Sequence, residues 1–170
     1  MNQEDMHGPT AHVVDACVKS AKIKGFSDAS GVLRGTLLLS PEPLSMDDLV
    51  ERTGYSKSTV SSNMGILENL GCVKRLITPG DKRYHYVAVT DLNVIKSTMM
   101  SHVKAEVNII VQALDQTEKD LKASGSDDAP VLERIASLRR SYMLFGKLMD
   151  LADRYTAEEL IELIERSNKH

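Results

Sequence analysis

The hydrophobic pattern along the first third of the chain is helical. Apolar residues recur there at steps of three and four, the spacing that lines one side of an α-helix. We therefore expect one helix over residues 11–24 and a second over about residues 28–40, which a Pro-Glu-Pro run stops because a proline ring clashes with a continuing helix. Ser45, followed three positions later by Asp48, resembles a capping box and should start a short third helix over residues 46–53.

A fourth helix is predicted in the segment YSKSTVSSNMGILENLG, residues 55–71, with Ser56 as its N-cap and Gly71 as its terminator. The runs CVKRLI and RYHYVAV that follow are β-branched and aromatic, as strands are, and the TPGDK between them has the composition of a hairpin turn. The order helix, short helix, helix and hairpin is that of a winged helix-turn-helix.

The C-terminal half carries longer apolar stripes. From Asp91 onward the helical spacing continues for about 30 residues, which corresponds to about 45 Å of helix. The run ASGSDDAP interrupts it, a second long helix follows over residues 132–155, and Thr156 with Glu159 forms a capping box for a final helix. Stripes of this length need a partner surface, and a second copy of the chain is the simplest supplier. We expect a homodimer formed through these helices, with a folded-back hairpin of helices within one chain as the alternative.

The predicted fold class is mainly α with a small β-hairpin wing. We place an N-terminal helix and a winged helix-turn-helix DNA-binding domain in residues 1–90, and a helical dimerization region in residues 91–170. Cys17 and Cys72 are far apart and match no zinc-ligand spacing, so neither a metal nor a cofactor is expected. The longest apolar runs fall short of the roughly 18 residues that span a bilayer, and the N-terminus lacks a signal-peptide core, which predicts a cytoplasmic protein without a membrane partner.

The formal net charge of −3 conceals an uneven distribution. Residues 1–51 sum to −4, residues 52–86 to +4 and residues 91–170 to −3. A cationic middle between acidic ends indicates that a polyanionic partner would contact the winged segment. The five histidines stand in unrelated contexts, and the sequence contains neither a nucleophile motif nor a glycine-rich phosphate loop, so an enzyme is not expected.

The outward face of the fourth helix is built from small polar residues. On a helical wheel, the apolar Val60, Met64 and Leu67 share one side. The opposite side and its flanks carry Ser58, Thr59, Ser61, Ser62, Gly65 and Asn69. A merely solvated helix would favour Lys and Glu there, whereas short side chains let a helix sit deep in a DNA major groove and reach base edges or phosphates. The alternative is a face that packs against another protein.

Cations beside this helix would supply affinity for phosphates. Lys57 lies at the helix start, and Lys82 and Arg83 lie at the hairpin tip. We expect Arg83 to enter an adjacent minor groove, where a narrow groove concentrates negative potential, and Asp81 to orient its guanidinium. Alternatively, Asp81 and Arg83 form an exposed pair of little energetic value. The full set of expected DNA-binding residues is Ser56, Lys57, Ser58, Thr59, Ser61, Ser62, Gly65, Asn69, Lys82 and Arg83.

The segments GVLRGTLLLSPEPLSMDDLVERTGYSKSTVSSNMGILENLGCVKR and PGDKRYHYVAV resemble the GbsR-like branch of the MarR family of winged helix-turn-helix transcriptional regulators. The resemblance covers residues 11–90 well and extends in plan to long C-terminal dimerization helices. It implies a homodimer, expected to be a repressor, that binds double-stranded DNA at a pseudo-palindromic operator. The helix led by Ser56 and Lys57 would enter the major groove, and Asp81 and Arg83 match the Asp-x-Arg wing motif of the family. The alternative is a winged-helix protein-interaction module that does not bind DNA.

The resemblance leaves a small-molecule effector open. Named members of the branch sense choline or glycine betaine, and proteins capture quaternary ammonium groups with aromatic cages. This chain has no Trp, two Phe and five Tyr. The residues that would line an effector pocket are Phe26, Tyr142, Phe145 and Met149, although aromatic and methionine residues at helical spacing also fit an ordinary core. The identity of an effector is therefore not carried over to this chain.

Overall fold

The computed structural model describes residues 11–77, 83–125 and 128–168 of the chain. Its internal contacts divide the chain into two compact units, Met1–Ile95 and Lys96–His170. The fold is mostly helical with a small antiparallel sheet, which confirms the predicted class. Among the described residues, no helix is both long and apolar enough to cross a lipid bilayer.

The first unit follows the predicted order of elements. Helices α1 to α4 span Ala11–Ile23, Asp28–Leu38, Met46–Thr53 and Lys57–Asn69, and strands β1 to β3 span Leu44–Ser45, Val73–Ile77 and Tyr84–Ala88. Strands β2 and β3 pair antiparallel as the predicted hairpin, and residues 78–82 between them lie outside the described residues. Helix α2 ends at Leu38 rather than at Ser40.

Strand β1 was not predicted. It pairs antiparallel with β3, which places Leu44 opposite Tyr86 and Ser45 opposite His85 and gives the sheet the order β1-β3-β2. Two residues are too few to show an alternating pattern, so the sequence reads as a plain connection there. The pairing makes β3 the central strand of the sheet.

Short-range hydrogen bonds fix the start of α3, as predicted. The backbone N–H of Ser45 donates to Oδ2 of Asp48 over 2.8 Å, and the backbone N–H of Asp48 donates to Oγ of Ser45 over 3.2 Å. Because the Ser45 hydroxyl and backbone both donate to it, the Asp48 carboxylate has a pKa below its ordinary value. At the other end of α3, Gly54 adopts the left-handed conformation at φ 71°, which a glycine reaches without steric cost.

The core of the first unit lies between the sheet and helices α2, α3 and α4. Its buried residues are Leu33, Leu37, Leu44, Leu49, Val60, Met64, Leu67, Cys72, Val73 and Tyr86. Three of them, Leu33, Leu49 and Val60, come from one helix each and are 0% exposed. The apolar side of α4 therefore packs against α2 and α3, and its other side faces solvent or a partner.

Helices α1 and α2 cross at two glycines. A Cβ atom at Gly31 would overlap the Cα of Val18, and one at Gly35 would lie 2.9 Å from the Cα of Val14. Glycine at both positions thus permits backbone-to-backbone packing that any larger residue would push apart. The close crossing fixes α1 on the winged domain.

The second unit contains an antiparallel pair of long helices. Helix α5 spans Leu92–Ala123, helix α6 spans Ala129–Asp153 and helix α7 spans Ala157–Ser167. Lys104 in α5 contacts Asp153 at the end of α6, with 2.8 Å between Nζ and Oδ2, and Arg139 in α6 pairs with Glu118 towards the end of α5. These contacts form a folded-back hairpin of helices within one chain, which was the alternative to the predicted homodimer. The homodimer itself stays a prediction.

This hairpin leaves much apolar surface uncovered. Exposed side chains on α6 and α7 include Met143, Leu144, Phe145, Leu148, Ile161, Leu163 and Ile164. Within the described residues, α7 buries none of its side chains, although its start carries the predicted capping box of Thr156 and Glu159. The apolar face of α7 is therefore available for a partner.

Candidate nucleic-acid interface

The start of α4 carries a cluster of hydroxyl groups. Ser56 is the N-cap, as predicted, and its Oγ accepts the backbone N–H of Thr59 over 3.2 Å. The same Oγ lies 2.9 Å from Oγ of Ser58 and 2.8 Å from Oγ1 of Thr59. Since α4 carries no acidic residue in its first turn, this end of the helix presents N–H groups and hydroxyls, a combination that suits an anionic partner.

The exposed side of α4 is composed as the helical wheel predicts. Ser58, Ser61, Ser62, Gly65 and Asn69 are all exposed, whereas Val60, Met64 and Leu67 are buried. This side therefore presents two kinds of group to a partner: short polar side chains and, at the glycine, bare helix backbone.

Gly65 lacks an intramolecular reason to be glycine. A Cβ atom placed on it would have none of the described residues within 4 Å, and its φ is not positive. Glycine within a helix costs about 1 kcal/mol relative to alanine. The residue thus lowers helix stability without relieving a clash inside the described part of the chain, which fits close approach of another molecule to the helix backbone.

Thr59 is less available than the other expected contact residues. It is half-buried, its Oγ1 is engaged with the N-cap Ser56, and its carbonyl oxygen accepts a hydrogen bond from Nδ2 of Asn63 over 2.8 Å. A DNA contact by Thr59 remains a prediction. The bonds already present give this residue a part in holding the N-terminus of α4.

Asn63 is a residue that the sequence reasoning missed. It is only 8% exposed, and its Oδ1 accepts hydrogen bonds of 2.6 Å from the hydroxyls of both Ser27 and Ser30. The signal was present in the sequence, because Asn63 lies three residues after Val60 and four before Leu67, at a core position of the helical stripe. A helical stripe is recognised by its apolar residues, so a polar residue within it does not stand out.

The cations that the sequence nominated are partly brought together. Lys57 and Arg83 line one surface pocket of about 150 Å³, next to the start of α3 and the first residues of β3. Arg83 is exposed and immediately precedes β3. Asp81 and Lys82 lie outside the described residues, so the proposed orientation of Arg83 by Asp81 stays a prediction.

Arg75 has partners within the domain. Its guanidinium carbon lies 4.5 Å from the ring centroid of Tyr84, and its Nε lies 3.3 Å from a carboxylate oxygen of Glu68. The cation–π contact joins the two strands of the hairpin, and the ion pair joins the hairpin to the end of α4. We therefore assign Arg75 a structural part, while Lys74 beside it is exposed.

The residues expected to line an effector pocket belong to different units. Phe26 lines a cavity of about 20 Å³ in the first unit, which has room for about one water molecule. Tyr142, Phe145 and Met149 lie on α6 in the second unit. A groove of about 510 Å³ in that unit is lined by Val107, Asn108, Val111, Met143, Gly146, Lys147, Asp150, Leu151 and Arg154. The predicted effector pocket stays a prediction.

Comparisons with known proteins point to one family. The model of the MarR family matches residues 35–83, from the middle of α2 to the start of the hairpin's return strand. The HTH-type transcriptional repressor GbsR of Bacillus subtilis (strain 168) is 24% identical over 111 residues, which cover 65% of this chain and 61% of that protein. The matched segment thus spans less than two thirds of that repressor. The predicted resemblance to the GbsR-like branch of the MarR family is confirmed.

One solved structure supports the same fold. A structure described as a transcriptional regulator superposes with a TM-score of 0.65 at 20% identity, covering 85% of this chain and 95% of its own. MepR, a transcription regulator of the Staphylococcus aureus multidrug efflux pump MepA, gives a TM-score of 0.39 at 14% identity, covering 72% of this chain and 92% of its own. The first of these matches supports the winged-helix fold.

Proposed function

We propose that this protein, a relative of the GbsR-like branch of the MarR family, is a DNA-binding transcriptional regulator that acts on chromosomal DNA in the cytoplasm. The observation that carries the proposal is the exposed side of α4, where Ser58, Ser62 and Asn69 surround the unobstructed backbone of Gly65. Short hydroxyl and amide groups reach base edges and phosphates only when the helix backbone comes close to the groove. The exposed side of α4 thus has the small polar residues that close contact with a major groove would need.

The cations beside α4 would hold the phosphate backbone. Lys57 and Arg83 line the same pocket, at the start of α4 and next to the hairpin turn, respectively. In this proposal α4 lies in the major groove, Lys57 contacts a flanking phosphate, and Arg83 with Lys82 enters the adjacent minor groove. Asp81 would orient the guanidinium of Arg83.

We further propose that residues 91–170 form a homodimer and that residues 1–90 bind one half-site each. The uncovered apolar side chains of α6 and α7 supply a surface for a second copy. Two copies would present α4 to successive major grooves about 34 Å apart, so the operator is expected to be an inverted repeat. The name of the Bacillus subtilis relative supports a repressor, which acts when its site overlaps a promoter.

Selection of bound duplexes from a random pool tests the proposal. The expected result is enrichment of an inverted repeat with half-site centres about 10 base pairs apart. If each subunit neutralises three phosphates, a plot of log affinity against log salt should have a slope of about −5. Enrichment of no sequence, together with a slope near zero, would contradict the proposal and favour a protein partner for the same face.

A matched pair of variants ties this binding to α4. Ser62→Glu places a carboxylate on the exposed side of α4, where it would repel phosphates, and should remove binding to the selected duplex. Gln112→Glu adds a carboxylate at an exposed position of α5 and should leave half-site recognition intact. Equal effects of the two substitutions would show that the added charge, not its place on α4, is responsible.

A further inference from the structure

A polar residue sits at the centre of the buried side of α4. Val60, Asn63, Met64 and Leu67 follow one another at the spacing of a core stripe, and all four are buried. Three of them are apolar, as a core position requires, and Asn63 is the exception. Burying an amide is costly unless its hydrogen bonds are satisfied, so its presence calls for a reason other than packing.

The amide of Asn63 is satisfied from two helices. Its Oδ1 accepts hydrogen bonds of 2.6 Å from the hydroxyls of Ser27 and Ser30, at the N-terminus of α2. Its Nδ2 donates to the carbonyl oxygen of Thr59, one turn earlier in α4. Ser30 is 1% exposed, and Ser27 is the N-cap of α2, where its Oγ also accepts the backbone N–H of Ser30 over 3.2 Å. The network therefore pins the middle of α4 to the first turn of α2.

We propose that Asn63 is a positioning residue that sets the rotation of α4 about its own axis, and with it the side chains that face a DNA groove. Hydrogen bonds weaken steeply as they depart from their preferred geometry, whereas apolar contacts are non-directional. Val60, Met64 and Leu67 hold α4 against the core, and the paired bonds to Ser27 and Ser30 select one rotation among those that the apolar contacts permit.

A small rotation has a large effect at the outer face of the helix. Atoms at the edge of an α-helix lie about 5–6 Å from its axis, so a rotation of about 20° displaces them by about 2 Å. That distance is enough to break a hydrogen bond to a base edge, but not to lose the attraction between cations and phosphates. Asn63 therefore acts on sequence selectivity more than on overall affinity.

The inference rests on the proposed function, and its test separates the two. The duplex selected by the wild-type protein and a scrambled duplex of equal length are titrated with Asn63→Leu, which keeps the branching at Cγ but loses all three hydrogen bonds. The selected-to-scrambled affinity ratio is expected to fall at least about tenfold, the cost of roughly one mismatched base pair. Binding to the scrambled duplex and its salt slope should stay unchanged, because phosphate contacts dominate them.

A double variant distinguishes positioning from stability. Asn63→Leu leaves the buried hydroxyl of Ser30 with only the longer 3.3 Å contact to Oγ of Ser27 and should lower the unfolding temperature. Adding Ser30→Ala removes this poorly satisfied hydroxyl and should recover much of the loss. If Asn63 only stabilises the fold, the double variant regains selectivity along with stability. If Asn63 positions α4, the double variant regains stability and stays unselective. Recovery of the wild-type affinity ratio in the double variant would overturn the inference.

Further controls cover the remaining outcomes. Ser40→Ala removes a hydroxyl bonded to the carbonyl oxygen of Glu42, outside this network, and should leave the affinity ratio unchanged.

Should Asn63→Leu not fold, Ser30→Ala alone carries the test, because it removes one of the two bonds from α2. A lower ratio then supports the inference and an unchanged ratio overturns it. Failure of the wild-type protein to select any sequence would count against the proposed function itself, and the inference would fall with it.

Discussion

Nζ of Lys57, the first residue of α4, lies 3.0 Å from Oδ1 of Asp47 in the first turn of α3. Both side chains are largely exposed, at 71% and 68%, so the pair contributes little to folding. In the absence of DNA, the pair nevertheless keeps the ammonium group of Lys57, which we propose contacts a phosphate, beside the carboxylate of Asp47. Binding would exchange one anionic partner for another.

Replacing Asp47 by Asn should strengthen DNA binding. The substitution releases Lys57 from its carboxylate partner, and an exposed pair of this kind is worth about 0.2–1 kcal/mol, so the affinity should rise by up to about fivefold. Fluorescence anisotropy with a labelled duplex at fixed low salt measures this gain. Asp15→Asn, on the exposed side of α1, changes the net charge equally and serves as the control. Equal gains from both substitutions would assign the effect to overall charge.

Gly65→Ala should stabilise the protein and weaken DNA binding at the same time. The added methyl meets open space and removes the helix penalty of glycine, so the free energy of unfolding should rise by up to about 1 kcal/mol. The same methyl would hold a groove away from the backbone of α4 and reduce the affinity for the selected duplex. Denaturant unfolding and a DNA titration of one preparation measure both changes. A stabilised variant with unchanged affinity would contradict close approach at Gly65.

Gly31→Ala should destabilise the first unit. Its methyl would overlap the backbone of Val18, and separating α1 from α2 costs about 1–3 kcal/mol, as overpacked cores do. Thermal unfolding followed by circular dichroism measures the loss. Gly65→Ala is the matched control, because the same chemical change there meets no neighbour. Destabilisation of similar size at both glycines would indicate an effect on helix backbone rather than on the crossing.

The second unit should lose stability in acid through Glu118. Lys122 and Arg139 both donate to its carboxylate and lower its pKa to about 2 from an ordinary value of 4.5. Because the folded-state pKa is the lower one, the stabilisation is complete above about pH 4.5 and disappears as the pH falls towards 2. Thermal unfolding over this range should show a smaller pH dependence for Glu118→Gln than for the wild type. Identical pH profiles would show that other carboxylates control acid unfolding.

Leu148→Glu should weaken the proposed dimer without unfolding the chain. Leu148 is 56% exposed on α6, so a carboxylate there meets solvent in a single chain but desolvation in a dimer interface. Sedimentation analysis over a concentration series should show a shift towards monomer, and affinity for an inverted repeat should fall with it. Gln112→Glu, at an exposed position of α5, is the control. An unchanged oligomeric state would place the interface elsewhere.

Local rules accounted for most of the elements. The capping pairs at Ser45 and Thr156 and the N-cap Ser56 could all be read from the sequence, because each depends on residues a few positions apart. The apolar stripe of α4 was likewise visible, and with it the composition of the opposite face.

Long-range contacts were not accessible in the same way. Strand β1 forms only because β3 offers an edge, and the bonds of Asn63 to Ser27 and Ser30 join residues more than 30 positions apart. The close crossing at Gly31 depends on where Val18 lies in space. These features follow from the packing of whole elements, which the spacing of residues along a single helix does not encode.

The pairing of β1 with β3 has a mechanical consequence. Strand β3 of the hairpin pairs, at His85 and Tyr86, with the two residues that lead directly into α3, whose Asp47 in turn contacts the start of α4. The hairpin and α4, the helix that we propose for a major groove, are therefore linked by a short series of contacts and should move together. A DNA duplex would have to fit both at one fixed spacing, so the width of its minor groove could be sensed at the major groove next to it.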